Sequence, residues 1–158
     1  MSIAPKIERL LHAEGVAYDV VAHPRTYEAT FSAAVSHVHG ADLAKAVVLH
    51  DEKDDTFVVA VLPATKRVHL GVLEAATHRP FELASEADVA RIFGDCELGA
   101  VPPLGRAYGL ETIVDDSIAA RDQVWFEAGD HVDLVRVTGD DFRRLVHDAD
   151  LVHFGRPS

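Results

Sequence analysis

Hydrophobic positions near the start of the chain recur with the period of a helix and then change to a strand pattern. Residues 3–14 carry isoleucines and leucines three or four positions apart and are followed by Gly15, which predicts a first helix. The run AYDVVAH predicts a short strand that ends before Pro24, and residues 28–38 predict a second helix closed by Gly40.

The middle of the chain carries a strong hairpin signal. Two runs rich in β-branched residues, AKAVVLH and TFVVAVLP, flank the polar turn DEKDD. Residues 70–77 then have helical spacing, and Ser85 begins a capping box for a helix that runs to about residue 93.

Three more strands and a last helix follow. ETIVDD, QVWFEAG and HVDLVRV have strand patterns, and the turn-prone pair Gly129 and Asp130 joins the last two. Thr138 predicts the N-cap of a final helix over DFRRLVHDA. Because helices and strands neither alternate strictly nor segregate, we expect an α+β fold, a mixed and strongly curved, barrel-like sheet surrounded by helices, in one domain over residues 1–158.

Composition and charge exclude several classes of protein. The 158 residues are 48% hydrophobic and 26% charged, which suits one globular domain, and no window is apolar enough to cross a bilayer. With no targeting segment and the single cysteine Cys96, we expect a cytoplasmic protein without a membrane partner. The net charge of −11 disfavours extended contact with a nucleic acid backbone, so such a partner needs a local basic patch. The available basic residues, each also typical of a solvated face, are Lys66 with Arg67, Arg79, Arg106, and Arg143 with Arg144.

The stretch DCELGAVPPLG, residues 95–105, fits neither a helix nor a strand. Proline fixes φ and lacks an amide, and glycine permits close approach, so GAVPPLG predicts a stiff loop. The amides of Gly99, Ala100 and Val101 have no evident strand to pair with and could donate to the oxygen of a reacting carbonyl. The alternative is a tight turn that joins a helix to a strand.

Lys45 and His131 offer further candidate chemistry. Lys45 lies among apolar neighbours in LAKAVVL, so its ammonium either reaches solvent or points into a cavity as a ligand for an anion or a carbonyl. His131 could handle a proton in the same cavity or could be a satisfied structural histidine.

Other chemistries have little support. Asp95 and Glu97 disfavour a thiolate at Cys96, which argues against a cysteine nucleophile. His37 and His39 form an isolated pair without the partner spacing of a zinc site, and no P-loop, GxGxxG or GxSxG motif occurs. We therefore expect neither a metal nor a cofactor.

One known family carries, in the same order, segments similar to YDVVAH, HVHGADLAKAVVL, AVLPATKRVHL, LASEADVARIFGDCELGAVPPLGRAYGL, IVDDSI and FEAGDHVDLVRVTGDDFRRL. Over nearly its whole length the chain resembles the YbaK-like aminoacyl-tRNA deacylases, free-standing relatives of the editing domain inserted in bacterial prolyl-tRNA synthetases. The resemblance implies hydrolysis of the ester that joins a wrong, small amino acid such as Ala, Ser or Cys to a tRNA. The implied partner is the acceptor end of aminoacyl-tRNA, with an aminoacyl-tRNA synthetase as a further candidate.

The resemblance also implies which residues form the site. The family's lysine falls on Lys45, its backbone-donor loop on Gly99 to Pro103, and its late histidine on His131. Lys45 would hold the phosphate or adenosine side of the substrate, and His131 would orient the water. The expected catalytic residues are Lys45, Gly99, Ala100, Val101 and His131, and the expected substrate-binding residues are Tyr18, His23, Thr30, Phe31, Pro102, Pro103, Gly105 and Gly129.

The chain departs from the family pattern at several positions. Ala46 follows the lysine where some alanine-specific editors have asparagine, and His39 stands where proline is frequent. The usual threonine falls on Glu28 unless a small shift restores it at Thr30. These departures leave the edited amino acid open. Two alternatives also stay open: a non-catalytic module of the same fold that senses an amino acid or an adenosine-type ligand, and a metal-assisted hydrolase that uses the histidines.

Overall fold

Apolar and β-branched runs form most of the strands of one mixed sheet. The computed structural model describes residues 3–22, 38–97 and 99–157. The central hairpin, the three later strands and the first strand lie where the pattern predicts them. In chain order the strands are β1 (Asp19–Ala22), β2 (Leu43–Asp51), β3 (Thr56–Pro63), β4 (Lys66–Val68), β5 (Phe81–Leu83), β6 (Glu111–Asp115), β7 (Gln123–Glu127), β8 (Asp133–Thr138), β9 (Asp150–Val152) and β10 (Gly155–Pro157).

Two helices of the described ranges begin at the predicted caps, Ser85 and Thr138. The Ser85 hydroxyl accepts the Asp88 amide at 3.1 Å, and the Thr138 hydroxyl accepts the Asp141 amide at 3.1 Å. None of these helices is long and apolar enough to span a membrane. The predicted helix over residues 28–38 lies outside the described residues except for its last position. The helices are α1 (Pro5–Ala13), α2 (Leu70–Thr77), α3 (Glu86–Ile92), α4 (Asp116–Ala119) and α5 (Gly139–Leu145).

The main sheet is mixed, as predicted, and open. Its order is β1-β8-β7-β2-β3-β6-β9, with β5 paired to β2 as well, and β4 pairs with β10 in a separate two-stranded sheet. The pairs β2–β7, β3–β6 and β6–β9 are parallel and the others antiparallel. The described sheet therefore ends at β1 and β9 and does not close into a barrel, while the α+β class is confirmed.

Strand β2 presents its two faces to two different cores. Ala44 and Val48 pack with α1, α5 and the inner residues of β7 and β8. Val47 and Leu49 pack with Leu73 of α2 and the β9–β10 region on the other face. Because side chains alternate along a strand, Lys45 belongs to this second face.

One edge of β2 is only partly covered. β3 pairs with it from Ala44 to Asp51 on one side. On the other side β7 pairs only at Leu43 and Ala44, and β5 only from Leu49 to Asp51. The Ala84 amide extends the β5 contact to the Val48 carbonyl at 3.0 Å. Residues 45–47 thus lack a strand partner on this edge among the described strands.

Candidate active site

The gap in the β2 edge forms a cleft with the Gly/Pro loop on its other side. A small cavity of about 40 Å³ is lined by Lys45 together with Gly99 and Val101 of the loop. An adjoining cavity of about 260 Å³ shares Ala46, Gly99 and Val101 with it and is otherwise mostly apolar. We call the two together the β2-edge cleft. Its residues are Leu43, Ala44, Lys45, Ala46, Val47, Val48, Leu83, Ala84, Glu86, Val89, Gly99, Val101 and Glu127.

Two loop residues that line this cleft have main-chain amides without an acceptor among the described residues. Gly99 has φ of 83°, a left-handed conformation that favours glycine. Within the described residues, the amides of Gly99 and Val101 have no hydrogen-bond acceptor. The expectation for Ala100 is wrong, because its amide already donates to the Glu97 carbonyl at 3.1 Å in a turn. Two of the three predicted donors therefore remain available to a ligand.

Lys45 is partly buried, and its ammonium has no carboxylate partner among the described residues. Burial lowers the pKa of this ammonium from its usual value. A cation that has lost part of its hydration without gaining an ion pair binds an anionic or carbonyl oxygen more strongly than an exposed lysine does.

The main chain of Ala46 also faces the open edge. The Leu43 carbonyl bonds toward the β3 side, to the Ala64 amide at 2.8 Å, and the Val48 carbonyl bonds toward the β5 side. Successive residues of a strand direct their main-chain groups to opposite edges. The even-numbered Ala46 therefore directs its amide and carbonyl to the edge that the cleft occupies.

The cleft contains a carboxylate that the sequence analysis missed. Glu127, at the end of β7, is buried and lines the small cavity with Lys45. Its Oε1 lies 3.7 Å from Nδ1 of His131, whose side chain is only 1% exposed. A charged residue in the otherwise apolar run QVWFEAG was the available signal, because strand interiors rarely bury an acid without a reason.

Two hydrogen bonds join the β7–β8 turn to the start of the Gly/Pro loop. The Glu97 amide donates to the Gly129 carbonyl at 2.7 Å, and the Glu97 carboxylate accepts the His131 amide at 3.3 Å. His131 therefore lies next to the start of the loop, but it does not line the cleft that it was expected to reach. His131 can act on a ligand in the cleft through Glu127, which lines the small cavity and lies beside its ring.

Several predicted substrate-binding residues have packing roles instead. Pro102 and Pro103 are buried outside the cleft lining. A Cβ at Gly105 would lie 2.6 Å from the Thr112 hydroxyl, and one at Gly129 would lie 2.9 Å from the Ala4 side chain. Both glycines thus permit close packing of main chain.

The structure places none of the remaining residues that were predicted to form pocket walls at the cleft, as far as these residues are described. The Tyr18 ring lies 6.4 Å from the His12 ring of α1 and does not line the cleft. His23, Thr30 and Phe31 lie outside the described residues.

The cysteine does not support covalent chemistry. Burial raises the pKa of the Cys96 thiol to about 12, with Asp95 acting in the same direction. Its Sγ lies 3.2 Å from the Tyr108 hydroxyl. A neutral, hydrogen-bonded thiol is a poor nucleophile.

One group in the described residues brings three metal-ligating side chains together, away from the cleft lining. Ligand atoms of Asp115, Asp116 and His153 lie within 4.8 Å of one another. The Asp115 carboxylate, however, already accepts the amides of Ser117, Phe154 and Gly155 and the Ser117 hydroxyl. These bonds cap α4 and hold β10, which is a structural role.

Two cavities are larger than either part of the cleft, but each is lined by charged side chains that already bond one another. One, of about 370 Å³, contains Arg121 bonded to Asp42 at 2.6 Å. The other, of about 480 Å³, contains His50, which bonds Asp55 at 2.7 Å and Glu82 at 2.8 Å. Neither combines an apolar wall with unpaired main-chain donors, as the β2-edge cleft does.

Comparison with known proteins identifies relatives of the chain. The family model described as the aminoacyl-tRNA editing domain matches residues 23–145. Among solved structures, the hypothetical protein APE2540 superposes with a TM-score of 0.83 at 20% identity, over 96% of this chain and 99% of that chain. A candidate trans-editing enzyme for prolyl tRNA synthetase superposes with a TM-score of 0.82 at 22% identity, over 98% and 99%. A candidate signal transduction protein from Marinobacter aquaeolei VT8 has a TM-score of 0.77 at 18% identity, over 98% of this chain and 31% of that one. No curated protein matches the chain in sequence.

Proposed function

Because the chain belongs to the aminoacyl-tRNA editing domain family, we propose that it is a deacylase that hydrolyses the ester between a wrongly attached small amino acid and the terminal ribose of a tRNA. The observation that supports this most is that one cleft is lined by a partly buried lysine and by Gly99 and Val101, whose amides have no acceptor among the described residues. We further propose that it acts in the cytoplasm on aminoacyl-tRNA.

The loop amides would stabilise the charge that develops on the ester carbonyl. Water adds its oxygen to the carbonyl carbon, and negative charge builds on the carbonyl oxygen, where the amides of Gly99 and Val101 donate. The bond to the ribose oxygen then breaks, and the proton of the water passes to that oxygen, with the vicinal ribose hydroxyl as a carrier. An aminoacyl ester is already activated, so positioning and oxyanion stabilisation suffice without a protein nucleophile.

Charged residues on both sides of the small cavity would orient the substrate. Lys45 would hold a phosphate or ribose oxygen, since its ammonium has no carboxylate partner in the described chain. Glu127 would bind the α-ammonium of the aminoacyl group, because it brings a buried carboxylate to the same cavity. His131 would then act as a positioning residue through Glu127, rather than by touching the water.

The adjoining cavity would receive the amino acid side chain. Ala46, Val48, Val89 and Val101 line its roughly 260 Å³, which favours a small apolar or weakly polar side chain. Editing is needed for such side chains because a synthetic site separates them by only about 1–3 kcal/mol. The name of one structural relative links that protein to prolyl tRNA synthetase, so tRNA for proline carrying Ala, Ser or Cys is the first substrate to test, and that synthetase is a candidate partner.

The chemistry proposed needs no metal. Within the described part of the cleft lining, the metal-ligating side chains are Glu127 in the small cavity and the exposed Glu86 at the rim of the other. Two such separated carboxylates do not make the three- or four-ligand set of a catalytic zinc site. Hydrolysis should therefore persist in EDTA.

A panel of tRNAs, each charged with one amino acid, tests the proposal. We expect release of a small amino acid by the wild-type protein and loss of that activity in Lys45→Ala. Tight binding of a non-hydrolysable aminoacyl-adenosine without hydrolysis of any charged tRNA would instead favour a sensor. Loss of activity on chelation would favour a metal-assisted hydrolase.

Glu127 has a separate test that does not depend on folding alone. Glu127→Gln should raise KM for an aminoacyl ester but leave hydrolysis of the matching α-hydroxyacyl ester unchanged, because the latter has no ammonium to bind. Equal losses on both esters would reject ammonium recognition.

A further inference from the structure

Two arginines face each other on the small two-stranded sheet. Arg67 of β4 and Arg156 of β10 are directly opposite in the register, and Lys66 lies next to them on β4. Arg67 is exposed and Arg156 partly so, while the Lys66 ammonium reaches the Ser117 hydroxyl at 3.3 Å. By alternation along β4 the Lys66 side chain lies on the other face of this small sheet, so we call Arg67 and Arg156 together the β4–β10 patch. We propose that the β4–β10 patch binds backbone phosphates of the acceptor end of an RNA whose 3′ end occupies the β2-edge cleft, an inference that rests on the proposed function.

Arg67 and Arg156 differ from most arginines of the described chain in having no carboxylate partner. Within the described residues, neither Arg67 nor Arg156 has a carboxylate within 4.0 Å, and Arg9 is the one further arginine of this kind. The arginines that do have such a partner are Arg79, Arg91, Arg106, Arg121, Arg136, Arg143 and Arg144.

A shortage of acids does not explain why these arginines have no carboxylate partner in the described chain, where Arg156 donates only to the Gly155 carbonyl, at 3.0 Å. The chain has 26 Asp and Glu against 15 Lys and Arg. Like charges directly opposite on paired strands repel each other. An external anion between Arg67 and Arg156 would remove that repulsion, and guanidinium groups match phosphate oxygens in geometry.

Two carboxylates that bond to the segment around β10 are already engaged. Gly155, which precedes Arg156, donates its amide to the buried Asp115 carboxylate at 2.6 Å. Asp116 bonds His153 at 2.8 Å. These contacts hold β10 in place and do not involve the side chains of Arg67 or Arg156, so they position the patch without neutralising its charge.

The patch lies on the Lys45 side of the sheet and at the same end. Val68, which follows Arg67, belongs to the same apolar cluster as Val47 and Leu49, so β4 lies over the Lys45 face of β2 and the exposed Arg67 points outward from it. Lys45 pairs with Leu62 in the hairpin register, and Lys66 follows four residues later. Four residues of chain span at most about 14 Å, and neighbouring strands are about 5 Å apart. A single RNA strand of a few nucleotides can therefore reach from the cleft to the patch.

A charge-reversal pair with a matched control tests the inference. The double variant Arg67→Glu with Arg156→Glu is compared with Arg9→Glu and Lys53→Glu, which change the net charge equally at α1 and in the β2–β3 turn. Binding of deacylated tRNA is measured by fluorescence anisotropy across a salt series. Hydrolysis is measured for charged tRNA and for the same amino acid esterified to adenosine, which carries no backbone phosphate.

We expect the patch variant to bind tRNA at least about tenfold more weakly at low salt and its salt slope to fall by about two, one for each lost phosphate contact. Its hydrolysis of the adenosine ester should equal that of the wild type, which also shows that the variant folds. The control variant should keep most of the tRNA affinity and the full salt slope.

Several results would overturn the inference. Unchanged affinity and slope in the patch variant would reject it, and equal losses in both double variants would reduce it to long-range charge. Tighter binding of polyglutamate than of tRNA would assign the patch to an acidic protein. Patch-dependent tRNA binding without hydrolysis of any ester would keep the patch and reject the deacylase, so the two proposals can fail separately.

Discussion

Replacing Val101 with proline removes one proposed oxyanion donor while keeping an apolar side chain of similar size. In the structure the Val101 amide has no acceptor among the described residues, so folding loses no hydrogen bond. Val101 also precedes Pro102, which already biases it toward an extended conformation. Loss of one oxyanion donor typically costs about 10²–10³ in kcat, or about 2.7–4 kcal/mol of transition-state stabilisation. We expect a fall of that size in single-turnover hydrolysis of mischarged tRNA, with a nearly unchanged Tm.

Two companion variants separate the donor from the packing. Val101→Ala keeps the amide and should retain most of the activity. Ala100→Pro removes an amide that does bond, to the Glu97 carbonyl at 3.1 Å, so it should lower the free energy of unfolding by about 1–3 kcal/mol. If Val101→Pro hydrolyses the ester within about threefold of Val101→Ala, the loop amides do not stabilise the oxyanion and the mechanism fails.

Three other outcomes follow from the titratable groups. Lys45→Met should reduce kcat/KM for mischarged tRNA by about a hundredfold while leaving Tm equal or higher, because an apolar side chain of similar length replaces a partly buried ammonium that has no counter-ion in the described chain. With its pKa raised to about 12 by burial, the thiol of Cys96 should be roughly one part in 10⁴ thiolate at pH 8, so iodoacetamide should label the native protein far more slowly than the unfolded one. The hydrogen bonds of His50 to Asp55 and Glu82 raise its pKa in the folded state, so its contribution to stability is complete below about pH 6.5 and is lost as the pH rises through the raised folded-state pKa. Urea unfolding of wild type and His50→Gln should accordingly differ at pH 5.5 and converge at pH 9, and a constant difference would contradict this assignment.

Elements that are long enough to repeat a hydrophobic pattern, or that begin with a recognisable cap, were predictable from the sequence. The two long strands of the central hairpin alternate or run apolar over eight or nine residues, and the Ser85 and Thr138 caps mark helix starts by a local hydrogen bond. Strands β4, β5, β9 and β10 have three residues each. Three residues are too few to show the alternation of a strand. Such short strands form only because distant segments of the chain pair with them, so they could not be predicted locally.

Some of the residues that line the candidate cleft could also be named from the sequence. Lysine among apolar residues and glycine beside proline are local signals, so Lys45 and the loop could be named in advance. The Ala100 amide could not be assigned, because its acceptor depends on how the loop turns back on Glu97. The position of Glu127 beside Lys45 could not be predicted, because it depends on which strand pairs with β7.

The position of the cleft is the part that no local pattern contains. Alternation along β2 puts Lys45 on one face and the alanines and valines that contact the loop on the other, which taken alone would separate the lysine from the donors. They line one cavity because β7 and β5, which lie about 80 and 35 residues further along the chain, each stop short on the same edge of β2. An incompletely paired edge leaves main-chain groups without partners, and an unpaired polar group that is to be buried needs a ligand. The same gap therefore brings the lysine and the loop to one cavity, where the proposed substrate would also meet the donor and acceptor of Ala46.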